Sequence, residues 1–173
     1  LRWPAGGVLH FRGASAEHFC LGGDPSDSEA FLDGLCGFAS LLGRLERRAL
    51  PMLAVCHGAT RGGGMLFPCL CTAVLAHTDA TFGFPEIRRG ALPGVVSVAA
   101  RQRLSAVACK RLMCTGDVIG AGTARELGLV DFVGSWAQIE VEAARLLARW
   151  RALGVARLKR CCAPPSPVAR ACV

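Results

Sequence analysis

Apolar positions along this chain recur in two patterns, short continuous runs and runs with a helical period. The short runs predict strands at 8–11, 52–56, 80–84 and 129–133. The helical period predicts helices at 28–48, 98–113, 121–127 and 138–153. The longest apolar run, 65–76, has about twelve residues, well short of the roughly 20 that cross a bilayer, and it predicts a buried helix. Strands that alternate with helices predict an α/β domain without a membrane span.

The composition of the 173-residue chain supports a folded domain, because 52% of its residues are hydrophobic and 19% charged. The chain opens at Leu1 without Met and the first strand follows almost at once, which predicts a fragment incomplete at both ends. Seven basic residues and one acidic residue lie at 141–173, so most of the net charge of +7 belongs to the tail. We predict a core over 1–134 and, over 135–173, a C-terminal helix with a basic, partly disordered tail.

Ten cysteines are the unusual feature of the composition. The two close pairs, Cys69/Cys71 and Cys161/Cys162, lack the paired spacing of a zinc site. Half of the cysteines lie in apolar stretches, where a thiol packs as a small hydrophobe: Cys56, Cys69, Cys71, Cys109 and Cys114. With no apparent signal peptide, the sequence predicts buried free thiols, no metal site, and a reducing compartment, either the cytoplasm or an organellar matrix, rather than secretion.

Two glycine-containing turns follow apolar strands and are the candidate site. The first is FCLGGD at 19–24 and the second is HGATRGGG at 57–64, which leads into an apolar segment. Glycines let the backbone present N–H groups to a ligand, and two converging turns can form an oxyanion hole. Taken alone, a glycine-rich turn favours the interpretation of a tight turn that binds nothing, and neither turn has a nucleotide-binding pattern.

The order of four segments resembles the enoyl-CoA hydratase/isomerase family of the crotonase superfamily. They are FCLGGD, PMLAVCHGATRGGG, ATFGFPEIRRGALPG and LMCTGDVIGAGTARELGLVDFV, and the resemblance extends from about Val8 to Val133. It implies a crotonase-like spiral of repeated ββα units. It also implies a thioester substrate, carried on coenzyme A or on a carrier protein, with no further cofactor.

The resemblance implies specific roles for residues of both turns. In the family, one oxyanion-hole N–H belongs to the position of Leu21 and the other to the position of Gly63. We expect the substrate to contact the residues around them: Cys20, Gly22, Gly23, Asp24, Gly62, Gly64, Leu66 and Pro85. Asp24 is expected to cap the turn that follows it rather than to take part in the chemistry.

The acid/base residues depart from the pattern of the family's hydratases, which use two glutamates. The first position is Leu66 here, which transfers no proton, and the second is Glu86. A carboxylate in an apolar pocket has a raised pKa and suits a general base, whereas the alternative is a solvated turn residue facing Arg88 and Arg89. A single glutamate favours double-bond isomerisation. Hydration, decarboxylation in fatty-acid or polyketide metabolism, and an inactive thioester-binding module remain alternatives.

The other polar residues of the core region have structural interpretations. His57 is expected to make a structural hydrogen bond, and His77 with Asp79 to end a helix. Trp136 and Trp150 are expected to pack the last helix, so the basic tail lacks the interleaved aromatics of a nucleic-acid site. By resemblance, the complete protein is expected to form a homotrimer.

Overall fold

The computed structural model describes residues 7–23 and 50–154, together with Leu158 and several helical residues between 34 and 44. Its strands are β1 (Leu9–Arg12), β2 (His18–Cys20), β3 (Met52–Cys56), β4 (Ala59–Arg61), β5 (Ala73–His77), β6 (Thr81–Gly83), β7 (Val118–Gly120) and β8 (Phe132–Gly134). Its helices are α1 (Leu66–Leu70), α2 (Gly94–Arg103), α3 (Ala106–Thr115), α4 (Ala121–Glu126) and α5 (Trp136–Leu153). Two 3-10 turns cover Gly62–Met65 and Pro85–Arg89. The predicted role of Asp24 and the predicted disorder of the tail after Leu158 lie outside the described residues.

The strands form two four-stranded sheets. The first has the order β1-β3-β5-β8 and is parallel throughout. The second has the order β2-β4-β6-β7, with only β7 antiparallel to its neighbour. Strands β1 to β6 therefore alternate between the two sheets, and a helix follows each of the pairs β3–β4 and β5–β6. This arrangement confirms the predicted α/β fold of repeated ββα units.

Close backbone contacts join the corners where the chain passes from one sheet to the other. Gly58 has a φ of +51°, and a Cβ built there would lie 1.9 Å from the carbonyl oxygen of Glu17. Nε2 of His57 bonds the carbonyl oxygen of Ser15 at 2.7 Å, which confirms the structural interpretation of this histidine. The amide of Gly58 donates to Oδ1 of Asp79 at 3.3 Å. These contacts fix the positions of successive ββα units relative to one another.

The first sheet is covered on both faces, as the unbroken apolar sequence of β3 predicts. Every residue of β3 is buried. Leu53 and Val55 face α5, where they pack with Ile139 and Trp150. Alternate residues of the same strand, such as Ala54, pack into the larger core between the sheets. The expected packing role of Trp150 is confirmed, and α5 forms the layer that backs the first sheet.

The longest apolar run does not form one helix, and this prediction was wrong. Helix α1 ends at Leu70, and after Cys71 and Thr72 the chain enters strand β5. A fully apolar run has no periodicity that separates a buried helix from a buried strand. His77 is therefore the last residue of a strand, with Asp79 two residues beyond it, and neither residue lies at a helix end. The ring of His77 stacks on Trp136 with centroids 5.0 Å apart.

The remaining differences concern element boundaries. The predicted helix at 98–113 is two helices, because Leu104 is extended and the hydroxyl of Ser105 caps α3 by accepting from the amide of Ala108 at 3.2 Å. The sequence also missed the short strands β4 and β7 and assigned the residues of β2 from Phe19 onward to a loop. Strand β8 lies later than the predicted 129–133. Three-residue strands carry too few positions for an alternating pattern.

Candidate active site

The two glycine turns come together because their preceding strands are paired. Strands β2 and β4 are parallel neighbours, so the segments that follow them leave the sheet side by side. Gly22 has a φ of +88°, and a Cβ built there would lie 2.9 Å from the backbone nitrogen of Gly63. A Cβ on Gly64 would lie 2.3 Å from the carbonyl oxygen of Cys20. Only glycine permits this approach, so the turns touch backbone to backbone.

Gly62 is the point where the turns meet the predicted acid/base residue. Its φ is +52°, and a Cβ built there would lie 3.2 Å from Oε1 of Glu86 and 3.9 Å from the carbonyl oxygen of Leu21. The carboxylate of Glu86 therefore lies directly against the second glycine turn. The predicted site residues of three separate segments, namely Leu21, Gly62 and Glu86, lie around one point.

Glu86 is held in the 3-10 turn that begins at Pro85 and follows the buried Phe84. The amide of Ala91 donates to the carbonyl oxygen of Glu86 at 3.1 Å, which fixes the backbone of the turn. Oε2 of Glu86 is buried and has no hydrogen-bond partner among the described residues.

Burial raises the pKa of Glu86, whereas its own backbone N–H and the positive charge of Arg89 act in the opposite direction. The half-buried carboxylate does not match the alternative of a solvated turn residue. A group of this kind holds a proton more readily than an exposed glutamate and can act as a base near neutral pH.

The other predicted site residues differ in their exposure. Leu66 is fully buried at the start of α1, so its side chain is part of the core beneath the turn. Leu21 is 51% exposed, and Gly22 and Gly23 are exposed beside it. The site thus has an open side at the first turn and a packed apolar floor at α1.

Comparison with known proteins shows the family to which the chain belongs. A family model described as enoyl-CoA hydratase/isomerase matches residues 8–161. The chain belongs to the enoyl-CoA hydratase/isomerase family. A protein of Mycosarcoma maydis named enoyl-CoA isomerase/hydratase fer4 is 32% identical, with 75% of this chain and 50% of the relative covered. The mouse mitochondrial enoyl-CoA hydratase domain-containing protein 2 is 33% identical, with 72% of this chain and 44% of the relative covered.

Solved structures agree on the crotonase fold. AtuE of Pseudomonas aeruginosa superposes with a TM-score of 0.83 at 29% identity, over 90% of this chain and 64% of that one. A family protein of Silicibacter pomeroyi gives a TM-score of 0.81 at 24% identity, over 90% of this chain and 69% of that one, and supports the fold alone. The chain spans half or less of the length of the curated relatives named above.

Four of the five cysteines that the sequence placed in apolar stretches are in the core, as predicted. Cys56, Cys69, Cys71 and Cys109 are buried, and burial raises the pKa of Cys69 and of Cys71 to about 12. Cys114 is exposed, contrary to the prediction, because it lies on the outer face of α3. Over the described part of the chain no three His, Cys, Asp or Glu side chains group as a metal site would require, and no helix is long and apolar enough to cross a membrane.

Sequence reasoning missed one side chain at the site. Arg61 lies in the HGATRGGG segment, immediately before the glycines, and no motif predicts a role for it. Its guanidinium donates to the backbone carbonyl and to the hydroxyl of Thr81 in the neighbouring strand. An arginine followed by three glycines carries no pattern that reveals such a contact, because the partner lies 20 residues later in the chain.

Proposed function

We propose that this chain carries the active site of an enoyl thioester isomerase, which moves a double bond from the 3-position to the 2-position of the acyl group. The observation that carries the proposal is the meeting of Glu86 with both glycine turns at Gly62. The substrate class is an acyl group in thioester linkage to coenzyme A or to a carrier protein, as family membership suggests.

The backbone supplies the electrostatic part of the reaction. The N–H groups of Leu21 and Gly63 would donate to the thioester carbonyl oxygen, which gains negative charge as the enolate forms. Removing one such donor typically costs about 2.7–4 kcal/mol of transition-state stabilisation. The contact between Gly22 and Gly63 supports this assignment, because it brings the two donor-bearing turns together.

Glu86 supplies the proton transfer. Its carboxylate would remove the proton at C2 of the 3-enoyl group, giving a dienolate whose charge lies on the carbonyl oxygen, and return the proton at C4. One base serves both steps, so no second carboxylate is needed. The burial of Leu66 supports isomerisation over hydration, because the position of the hydratases' first glutamate is an apolar core residue here.

The test is the activity of Glu86→Gln on a 3-enoyl-CoA. We expect turnover to fall roughly 10²- to 10⁴-fold, the contribution typical of a positioned acid/base group. Binding of a saturated acyl-CoA is expected to persist. The matched control is Glu126→Gln, because Glu126 is exposed on α4, away from both glycine turns.

The outcomes separate the alternatives. Unchanged turnover in Glu86→Gln would refute the role of this residue. A wild-type chain that converts 2-enoyl-CoA to a hydroxyacyl product would be a hydratase, and release of CO₂ from a carboxylated acyl-CoA would mark a decarboxylase. Binding of acyl-CoA without turnover of any of these substrates would identify a binding module.

A further inference from the structure

Arg61 ends strand β4 and holds the neighbouring strand β6 with its side chain. Nη1 donates to the backbone carbonyl of Thr81 at 2.7 Å, and Nη2 donates to Oγ1 of the same residue at 2.9 Å. Nη1 also donates to the carbonyl of Thr60 at 3.0 Å. The planar guanidinium thus makes two hydrogen bonds to one residue of β6 and one hydrogen bond to its own strand.

The ladder between the two strands that Arg61 connects is short, and the amide of Thr81 adds a bond to the carbonyl oxygen of Gly58 at 2.7 Å. The pairing between β4 and β6 consists of three residue pairs, Ala59–Thr81, Thr60–Phe82 and Arg61–Gly83. Two cross-strand bonds from a side chain are a large addition to so short a ladder. Arg61 therefore contributes strongly to the alignment of β4 with β6.

That alignment sets the geometry of the proposed site, because each strand leads directly into one half of it. Gly62 is the residue after Arg61, and Glu86 follows the end of β6 by three residues. The carbonyl oxygen of Arg61 also lies 3.3 Å from the position of a Cβ built on Gly22. The backbone of Arg61 thus lies next to the first glycine turn, and the second glycine turn begins at the residue after it. The side chain of Arg61 is hydrogen-bonded to the strand that leads to Glu86.

We propose that Arg61 is a positioning residue that fixes the separation between the Gly62–Gly64 turn and the carboxylate of Glu86. The inference rests on the proposed function only in giving this separation a role in proton transfer. A displacement of about 1 Å between a base and its substrate can cost roughly 100-fold in rate while binding is little changed. The consequence of losing Arg61 is therefore expected in kcat rather than in KM.

Two substitutions and one control test this proposal by kinetics on a 3-enoyl-CoA. Arg61→Met removes the guanidinium and keeps an aliphatic side chain of similar length. Arg61→Lys keeps the positive charge, but its ammonium group cannot make the two hydrogen bonds that the planar guanidinium makes to Thr81. We expect kcat to fall about 10- to 100-fold in Arg61→Met and less in Arg61→Lys, with KM within about three-fold of wild type. Arg125→Met is the control, because Arg125 is exposed on α4.

The pH profile adds a readout that a general loss of stability does not move. Without Arg61 the turn that bears Glu86 is expected to separate from Gly62, and its carboxylate becomes better solvated. The acidic limb of kcat/KM would then shift to lower pH in Arg61→Met and stay in place in Arg125→Met. The proposal would be overturned if Arg61→Met had the kcat of the wild type and the acidic limb of its kcat/KM profile lay at the same pH.

Hydrogen exchange tests the same alignment without any turnover. We expect amides at 81–90 to exchange faster in both Arg61 variants, while those at 94–115 keep the wild-type rate. Unchanged exchange at 81–90, or an equal rise in both regions, would refute the positioning role. If the wild-type chain does not isomerise 3-enoyl-CoA, the proposed function fails by itself, and the exchange experiment still decides the role of Arg61.

Discussion

The substitution Gly62→Ala adds one methyl group at the point where the three segments of the site meet. The new Cβ would lie 3.2 Å from Oε1 of Glu86, a few tenths of an ångström closer than an ordinary contact. The neighbouring atom belongs to the end of a flexible side chain rather than to the backbone. We therefore expect the carboxylate to move aside while the fold is retained.

The size of the effect follows from two separate contributions. A non-glycine residue at the φ of +52° observed for Gly62 costs about 1–2 kcal/mol of folding free energy. For a chain of this size that lowers Tm by roughly 2–8 °C. Displacement of the Glu86 carboxylate adds little to this loss of stability but reduces turnover about 10- to 100-fold, since proton transfer depends on the alignment of the base.

Gly128→Ala is the matched control for this experiment. Gly128 has a φ of +83°, and the nearest atom to a Cβ built there is the carbonyl oxygen of Arg103 at 3.8 Å, an ordinary contact. Both variants are expected to lose similar stability in thermal unfolding, and only Gly62→Ala to lose turnover of 3-enoyl-CoA. If turnover in Gly62→Ala stays within about two-fold of the control, the proposed dependence of activity on the Gly62–Glu86 contact is wrong.

Two further predictions concern stability. Arg103→Met removes a partly buried guanidinium that donates to two backbone carbonyls at 2.8 Å and pairs with Asp131, so we expect the free energy of unfolding in urea to fall by about 2–3 kcal/mol. Arg101 is exposed, so Arg101→Met should change that free energy by less than about 0.5 kcal/mol, and equal losses would contradict this account. Burial raises the pKa of Glu86 in the folded state, so its ionisation destabilises the fold once the pH exceeds the unfolded pKa. The Tm of Glu86→Gln relative to wild type should therefore rise as the pH increases above the unfolded pKa, and a difference in Tm that does not change with pH would show that the pKa is not raised.

Long elements with distinct composition were predictable from the sequence, and short ones were not. Strand β3 is buried at every position and reads as an unbroken apolar run, while α5 has a helical period and caps at Ser135. Strand β4 has only three residues, and its pairing with β6 depends on a chain segment about 20 residues away. The physical cause is that three-residue strands are stabilised by their neighbours rather than by their own side chains.

The site was predictable in its members but not in its geometry. The glycines at 62–64 and Glu86 were singled out from motifs alone. Their contact at Gly62 depends on parallel pairing in the second sheet, which no local pattern specifies. For the same reason Arg61 went unnoticed, because its importance lies in reaching Thr81 rather than in its own chemistry.

The unpaired oxygen of Glu86 is compatible with the proposed role of this carboxylate as a base. A buried acceptor without a partner costs about 1–3 kcal/mol, and folded proteins rarely retain one among their own residues. Oε2 of Glu86 is such an atom among the described residues, as are Nδ1 of His57 and Oγ1 of Thr60, and the carboxylate of Glu86 lies against the second glycine turn. A structural glutamate would satisfy both oxygens internally, whereas a base must keep one oxygen free to accept a proton from carbon. The arrangement that costs stability at this point is therefore the one that the proposed proton transfer would require.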